Sequence, residues 1–287
     1  MCSSDLAVLA KAEFKSEVKP TWCPGCGDFG VLRAVYEAFD QLAYQTKDIV
    51  LVSGIGCSSR IPYFVSSYGF HGVHGRVLPV ATGIKVANPD LHVVGMGGDG
   101  DAFSIGAGHL PHAMRRNPDI TYIVMDNNIY GLTKGQTSPT SHFQFKTKST
   151  PFGNLEDPIN PMAMAIVCGA TFVAKGFSGK AKELTDLFLK AIQHKGFSFV
   201  DVISPCPTFN RVDTFKYFAE HVAPVPDDHD PSDKMKALGL AYKTDTHYLG
   251  VYYQAERAPL NQRLALARQQ VETDRQTMLE ELLARFG

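Results

Sequence analysis

Residues 95–136, GMGGDGDAFSIGAGHLPHAMRRNPDITYIVMDNNIYGLTKGQ, place an acid inside a glycine loop. Gly95, Gly97 and Gly100 fit G-x-G-x-x-G, the dinucleotide fingerprint, which is a weak signal when it stands alone. Asp99 opposes that reading. A carboxylate among amides that face a pyrophosphate repels it unless a cation lies between them. Mg²⁺ does this, taking oxygen ligands and bridging phosphate oxygens to one or two protein groups. Asn127 can supply an amide oxygen to the same ion, and Ile129 a backbone carbonyl. Glycines admit the backbone, and a helix N-terminus facing the diphosphate favours its charge. The chemistry read here is a metal-held diphosphate. A dinucleotide site and two ordinary glycine-rich turns are the alternatives.

The cysteines are the second chemically capable set: Cys2, Cys23, Cys26, Cys57, Cys168 and Cys206. In a cytosolic chain they are metal ligands or buried thiols rather than disulfides. Cys2 falls in a terminus expected to fray, and Cys168, in the apolar run 163–170, reads as a small core residue. Cys23 and Cys26 form C-x-x-C after Trp22, which also fits a thioredoxin-type redox pair. That pair should follow a strand, and residues 14–22 show no strand pattern. Cys57 lies in GIGCSS directly after an apolar run at 48–53, and Cys206 in SPCP directly after another at 198–203. Parallel strands present their carboxyl ends on one side of a sheet, so all four thiols can converge. Four thiolates suit a structural Zn²⁺ or a [4Fe–4S] cluster. One pair plus two isolated cysteines, one of them followed by proline, leans towards the cluster.

Positioning these groups takes a βα alternation. Runs 91–96 and 120–125 read as strands buried on both faces, joined by a helix carrying Ile105, His109, Leu110 and Ala113. Helices are expected at 27–42, 81–87, 162–169 and 180–194, and further strands at 48–53, 171–174 and 199–203. The fold class is therefore α/β, a mostly parallel sheet flanked by helices, with ligands at the carboxyl ends of its strands. Residues 137–161 are polar and rich in Pro and Thr, the character of an active-site loop or a disordered segment. Beyond residue 210 come an acidic, proline-rich linker (224–232), a short strand (248–253) and an amphipathic helix over 260–286. That helix carries Leu264, Ala267, Val271, Met278, Leu282 and Phe286, and either docks on the chain's own core or serves as a partner-binding arm. The expected division is 1–210 for the sites and 211–287 for a C-terminal extension.

Composition narrows the class. The chain has 287 residues, 44% hydrophobic and 20% charged, with net charge −1. It can bury a full core and offers no basic footprint for nucleic acid. No apolar run reaches the ~18 residues of a membrane span, and no secretory leader is read at the start. The expected location is cytoplasmic, with no membrane and no nucleic-acid partner.

Taken in order, WCPGCG, GIGCSS, HGVHGR, LPVATGIK, GMGGDGDAFSIG, NNIYGLTKGQTSPT and SPCP closely resemble the β subunit of the 2-oxoacid:ferredoxin oxidoreductases. The resemblance runs from residue 22 to about 207 and implies the thiamin-diphosphate-binding fold. It implies Cys23, Cys26, Cys57 and Cys206 on a [4Fe–4S] cluster, and Asp99, Asn127 and the Ile129 carbonyl on Mg²⁺. Contacts to the cofactor fall on Ile55, Gly56, Cys57, Ser58, His74, Gly98, Gly100, Asp101, Gly131 and Leu132. By the residues alone, His74 is as well read as an ordinary surface or core histidine. The implied reaction is thiamin-dependent oxidative decarboxylation of a 2-oxo acid with coenzyme A, electrons passing through the cluster to ferredoxin. A non-redox thiamin enzyme and a binding subunit with structural zinc are the alternatives. The implied partner is an α subunit that bears the pyrimidine-binding domain, in a dimer of αβ heterodimers. LTKGQ looks more like the 2-oxoglutarate enzymes than those specific for pyruvate. Lys134, near the entry of substrate, is expected to meet the second carboxylate of 2-oxoglutarate, against the plain reading of a solvated loop charge.

Overall fold

The computed structural model describes residues 14–243, 245–269 and 275–286; Cys2 and Val271 lie outside them. An eight-stranded sheet organises the chain, in the order β2-β1-β3-β4-β8-β7-β10-β9. Its centre is β1 (Ile49–Ser53), β3 (His92–Gly98), β4 (Ile120–Asp126), β7 (Phe172–Phe177) and β8 (Phe197–Ile203), all parallel. These strands are near-continuous apolar runs because helices cover both faces. One face is packed by α1 (Asp28–Leu42) through Val31, Val35 and Phe39, together with Leu184 and Phe188 of the helix Ala181–Gln193. The other is covered by α3 (Val77–Ala87), α5 (Leu110–Arg116) and α6 (Pro161–Cys168), whose Leu78, Met114 and Ile166 meet Val93, Tyr122 and Phe199. Full burial of one such side chain contributes roughly 1.5–3 kcal/mol.

From β1 the chain runs to one side into β2 (Tyr68–His71), then crosses back to β3 on the other side. That reversal is a topological switch point, where open α/β sheets bind ligands outside the strand ends. The loops leaving β1 and β3 flank it.

Several elements differ from the sequence reading. The helix expected after the glycine loop is broken into α4 (Asp99–Phe103), a 3₁₀ turn (Ile105–His109) and α5. The break follows from close approach: a Cβ on Gly106 would stand 2.3 Å from the Asp101 carbonyl oxygen. β2 is an edge strand exposed along most of its length, so it carries no alternating pattern to detect. Past residue 210 the sheet continues: β10 (His247–Gln254) pairs antiparallel with β7, and β9 (Val222–Pro224) adds to β10. The stretch 224–232, expected as a linker, connects β9 to the helix Lys234–Ala241, which packs on the core through Ala237 and Leu240. The C-terminal arm is two described helices, Leu260–Gln269 and Arg275–Phe286. Leu264 is half-buried, while Met278, Leu282 and Phe286 are exposed rather than docked on the core. Cys168, expected in the core, is half-buried. No described helix is long and apolar enough to cross a membrane.

Candidate active site and thiol cluster

A cavity of about 510 Å³ opens at the switch point. The β1 exit supplies Ile55, Gly56, Cys57 and Ser58, and the segment after β2 supplies His74. The β3–α4 junction supplies Gly98, Asp99, Gly100 and Asp101, and the β4 exit supplies Asn127, Ile129, Gly131 and Leu132. Every residue expected to contact the cofactor or its metal therefore lines one cavity. Tyr130, Thr133 and Gln136 complete the wall.

Glycines here serve close approach. A Cβ on Gly54 would overlap the Asp101 carboxylate at 2.2 Å, and one on Gly100 would overlap the Tyr130 ring at 2.2 Å. Asp101 is buried and ties the walls together. Its Oδ1 accepts from the Ile55 and Gly75 amides, both at 2.8 Å. His74 Nδ1 stands 3.1 Å from the same oxygen, at an angle too poor for a hydrogen bond. The Asp101 carboxylate thus ties the Ile55–Ser58 loop to the turn at Gly75 that carries His74.

Asp99 begins α4 fully enclosed, and burial pushes its carboxyl up to about 6. The Thr140 hydroxyl stands 2.9 Å from Asp99 Oδ2 and 2.8 Å from Asp126 Oδ1. One hydroxyl proton can serve only one carboxylate. Burial first, then the Asp99 charge, holds the Asp126 carboxyl well above the usual range. Asn127 Oδ1 accepts from the Ile129 amide at 3.1 Å, which holds the β4 exit in its turn. Thr140 is the residue that sequence reasoning missed as a partner of Asp99. It lies 41 positions away in a polar loop, and the only signal was its place at the end of NNIYGLTKGQTSPT.

The four cysteines surround the neighbouring loops. The Cys23–Cys26 turn closes by a Cys26 N–H bond to the Cys23 carbonyl at 3.1 Å, with Gly25 at φ +78°. Gly27 N–H donates to the Pro205 carbonyl at 3.0 Å, bringing that turn against SPCP. Trp22 Nε1 donates to the Cys57 carbonyl at 2.6 Å. A methyl group at Gly131 would stand 3.6 Å from both the Cys57 and the Cys206 sulfur. Burial raises the Cys26 and Cys206 thiols, and burial with the Asp28 charge pushes Cys57 up to about 11. The Phe209, Thr208 and Asn210 amides nearby oppose this at Cys206, and the Asn210 N–H donates to the Cys206 carbonyl at 3.0 Å. Asp28 is fully buried beside them, pushed up to about 6 by burial and accepting from Ser204 Oγ at 2.7 Å. Among the described residues, no three His, Cys, Asp or Glu side chains close tightly around one point as a lone ion needs.

Lys134 does not line the cavity. It adopts φ +76° before Gly135 at φ +102°, and this left-handed turn sends it into an adjoining groove beyond Thr133. Among the described residues, no lysine or arginine lines the cavity itself.

The chain matches known proteins over nearly its whole described length. Residues 54–202 match the family described as thiamine pyrophosphate enzyme, C-terminal TPP binding domain. Residues 206–269 match the family described as the C terminal part of the pyruvate ferredoxin oxidoreductase beta subunit. The 2-oxoacid:ferredoxin oxidoreductase subunit beta of Saccharolobus solfataricus is 47% identical over 251 residues, covering 82% of each chain. A 2-oxoglutarate oxidoreductase subunit of Mycobacterium tuberculosis is 46% identical over 198 residues, covering 69% of this chain and 53% of its own. A solved 2-oxoglutarate:ferredoxin oxidoreductase of Magnetococcus marinus, with 2-oxoglutarate, coenzyme A and succinyl-CoA bound, superposes with a TM-score of 0.91 at 47% identity. It covers 94% of both chains. A thiamin-type fold with its cavity at the switch point, and relatives at this identity along both parts of the sheet, make this chain a member of the β subunits of the 2-oxoacid:ferredoxin oxidoreductases.

Proposed function

We propose that the chain holds the diphosphate end of thiamin diphosphate through Mg²⁺ in the switch-point cavity and a [4Fe–4S] cluster on Cys23, Cys26, Cys57 and Cys206. With an α subunit it oxidises 2-oxoglutarate in the presence of coenzyme A and passes electrons to ferredoxin. The observation that carries this is the sharing of loops. Cys57 lines the cavity, and its sulfur lies against Gly131 together with that of Cys206, so the two sites meet at one wall.

The donors fit each group. Asp99, Asn127 and the Ile129 carbonyl are the hard oxygen ligands that Mg²⁺ takes. A cation there would draw the Asp99 carboxyl back to its charged form and offset its burial. Thiamin diphosphate, when bound, supplies the carbanion chemistry that releases CO₂, and the protein supplies position and electrostatics. The loop amides and the glycine-lined approach serve the diphosphate, with His74 on the same wall. At the thiols, a zinc site would hold its sulfurs about 3.8 Å apart, given Zn–S of ~2.3 Å. A set in which, among the described residues, no three ligands close around one point suits the wider [4Fe–4S] cluster better.

The described residues form an eight-stranded sheet, its covering helices and a two-stranded ribbon, and none of these is a pyrimidine-binding domain. We assign that role to the α subunit, and a dimer of αβ heterodimers to the assembly. Residues 1–210 carry the sites, and 211–287 extend the sheet and form the arm. The relatives named for 2-oxoglutarate support that substrate over pyruvate. With no described lysine or arginine in the cavity wall, Lys134 reads the distal carboxylate only by reaching over Thr133.

The test is anaerobic purification of the αβ complex and of Cys206→Ser. The parent complex should be brown with a broad visible band and should reduce ferredoxin with 2-oxoglutarate. The variant should lose iron and ferredoxin reduction while keeping thiamin diphosphate. A colourless, zinc-loaded parent would contradict the cluster, and full iron in Cys206→Ser would remove Cys206 from its ligands.

A further inference from the structure

Residues 138–141, Ser-Pro-Thr-Ser, bury three hydroxyl side chains although they belong to an irregular segment. Ser138 and Thr140 are 5% exposed, and Ser141 1%. A buried hydroxyl costs free energy unless it is hydrogen-bonded, so each needs a partner. Ser141 Oγ accepts from the Ser138 amide at 2.8 Å and donates to the Asn128 carbonyl at 2.6 Å. Ser138 Oγ lies 3.3 Å from Thr140 Oγ1. Thr140 Oγ1 in turn reaches two acids from other elements, Asp99 at the start of α4 and Asp126 at the end of β4.

These contacts join two strand exits that no local run of sequence connects. Asp99 follows β3, while Asn127 and Ile129 follow β4. The segment that touches both exits is itself braced. Asn154 Nδ2 donates to the Ser141 and His142 carbonyls, each at 3.2 Å. The Gln144 amide donates to the Asn154 carbonyl at 2.7 Å, and the Ile159 amide to the Pro139 carbonyl at 2.8 Å. A loop tied in this way can hold one hydroxyl at a fixed place. Thr140 is not among the residues that line the cavity, so any effect on a ligand there passes through Asp99.

We infer that Thr140 is a positioning residue for the cation site: its hydroxyl fastens Asp99 against the β4 exit and so sets the spacing between that carboxylate and the donors of Asn127 and Ile129. The inference rests on the proposed function above, which places Mg²⁺ on those three residues. A hydroxyl serving the loop alone would bond within the loop, as the Ser138–Ser141 pair does. Thr140 bonds out of it, to the one carboxylate of the donor set. Partners that orient a ligating side chain without touching the metal are typically worth about 10–100-fold in metal affinity.

The test uses Mn²⁺, which takes the same hard oxygen ligands as Mg²⁺. The complete αβ complex is stripped of metal and saturated with thiamin diphosphate. Free Mn²⁺ is then followed by its electron paramagnetic resonance signal as the complex is added. Thr140→Val keeps the side-chain shape without the hydroxyl, and Thr140→Ser keeps the hydroxyl. Kd for Mn²⁺ should rise about tenfold or more in Thr140→Val and stay close to that of the parent in Thr140→Ser. At saturating Mg²⁺ and thiamin diphosphate, kcat of Thr140→Val should return towards the parent value, while the Mg²⁺ concentration giving half activity stays raised. Unchanged Mn²⁺ binding in Thr140→Val, or an equal loss in both variants, would overturn the inference. Should Thr140→Val not fold, Thr140→Ala takes its place against the same serine variant. A parent complex that binds no Mn²⁺ would count against the proposed function, whereas a parent and a valine variant that bind alike would count against Thr140 only.

Discussion

At the amino end of the sheet, Asn117 Oδ1 accepts from the Phe197 amide and the Thr171 hydroxyl, both at 2.8 Å, and Asn117 Nδ2 donates to the Arg257 carbonyl at 2.9 Å. Lys85, buried beside it, pairs with Asp119 at 3.2 Å and donates to the Leu91 carbonyl at 2.8 Å. At the carboxyl end, Asp28 and Asp99 are just as deeply enclosed and Asp126 is half-buried, yet none has an ion-pair partner among the described residues. Burial raises all three carboxyls, and it raises the thiols of Cys26, Cys57 and Cys206 beside them. One end spends its polar groups on the fold. The other gathers acidic groups whose charged forms burial disfavours, which costs stability unless cations arrive. Perturbed groups gathered at one strand-end crevice mark the functional end.

Changes at the two ends should therefore fail in different ways. The largest effect on folding is expected at the amino end. Asn117→Ala removes three hydrogen bonds from a residue at φ +57° and leaves the Phe197 amide and Thr171 without that partner. A loss of about 3 kcal/mol follows from one to three kcal/mol per buried orphaned group. Thermal unfolding should fall by roughly 10 °C, with thiamin diphosphate content per folded complex unchanged. A fall below about 2 °C would break the comparison.

A smaller, pH-dependent effect is expected at the loop over the site. His142 Nε2 pairs with Asp213 Oδ1 at 2.9 Å, joining the segment after β6 (Gln136–Thr137) to the one after Cys206. The hydrogen bond with Asp213 raises the His142 pKa. Bonds from His142, Asn210 and Asn128 lower that of Asp213, against its burial. A raised histidine stabilises the fold below its unfolded value and loses that contribution as pH rises through the folded one. A lowered carboxylate contributes above its unfolded value and loses it as pH falls through the folded one. The latch is thus strongest at roughly pH 4–6.5 and weakens above that window. Proteolytic nicking within 142–151 should quicken between pH 6 and 8.5, and Asp213→Asn should flatten that rise. A pH-independent rate in the parent would remove the latch.

What the sequence discloses divides along the same line. The Asp99 loop, the thiol-bearing strand exits and the central strands were legible because each rests on a local run of residue types. β1 is buried at every position, and its apolar run says so. What was hidden depends on contacts across the chain. Thr140 meets Asp99 through an irregular loop whose order comes from Asn154, which donates to the Ser141, His142 and Glu156 carbonyls. β10 joins β7 antiparallel after a proline-rich stretch that reads as a linker. Lys134 was placed by its nearness to Asn127, while a left-handed turn two residues long decides which cavity it faces.

The account stands most directly on Asp99. The measurement is thermal unfolding of the αβ complex and its Asp99→Asn variant, each stripped of cofactor and then saturated with Mg²⁺ and thiamin diphosphate. Stripped, the variant should be as stable as the parent or more so, because a buried charge with no cation has been removed. Saturated at about 100 Kd, the parent should gain about 2.7 kcal/mol, several degrees, and the variant little. A stripped variant less stable than the parent, with an equal gain on saturation, would show that Asp99 serves the fold rather than the metal.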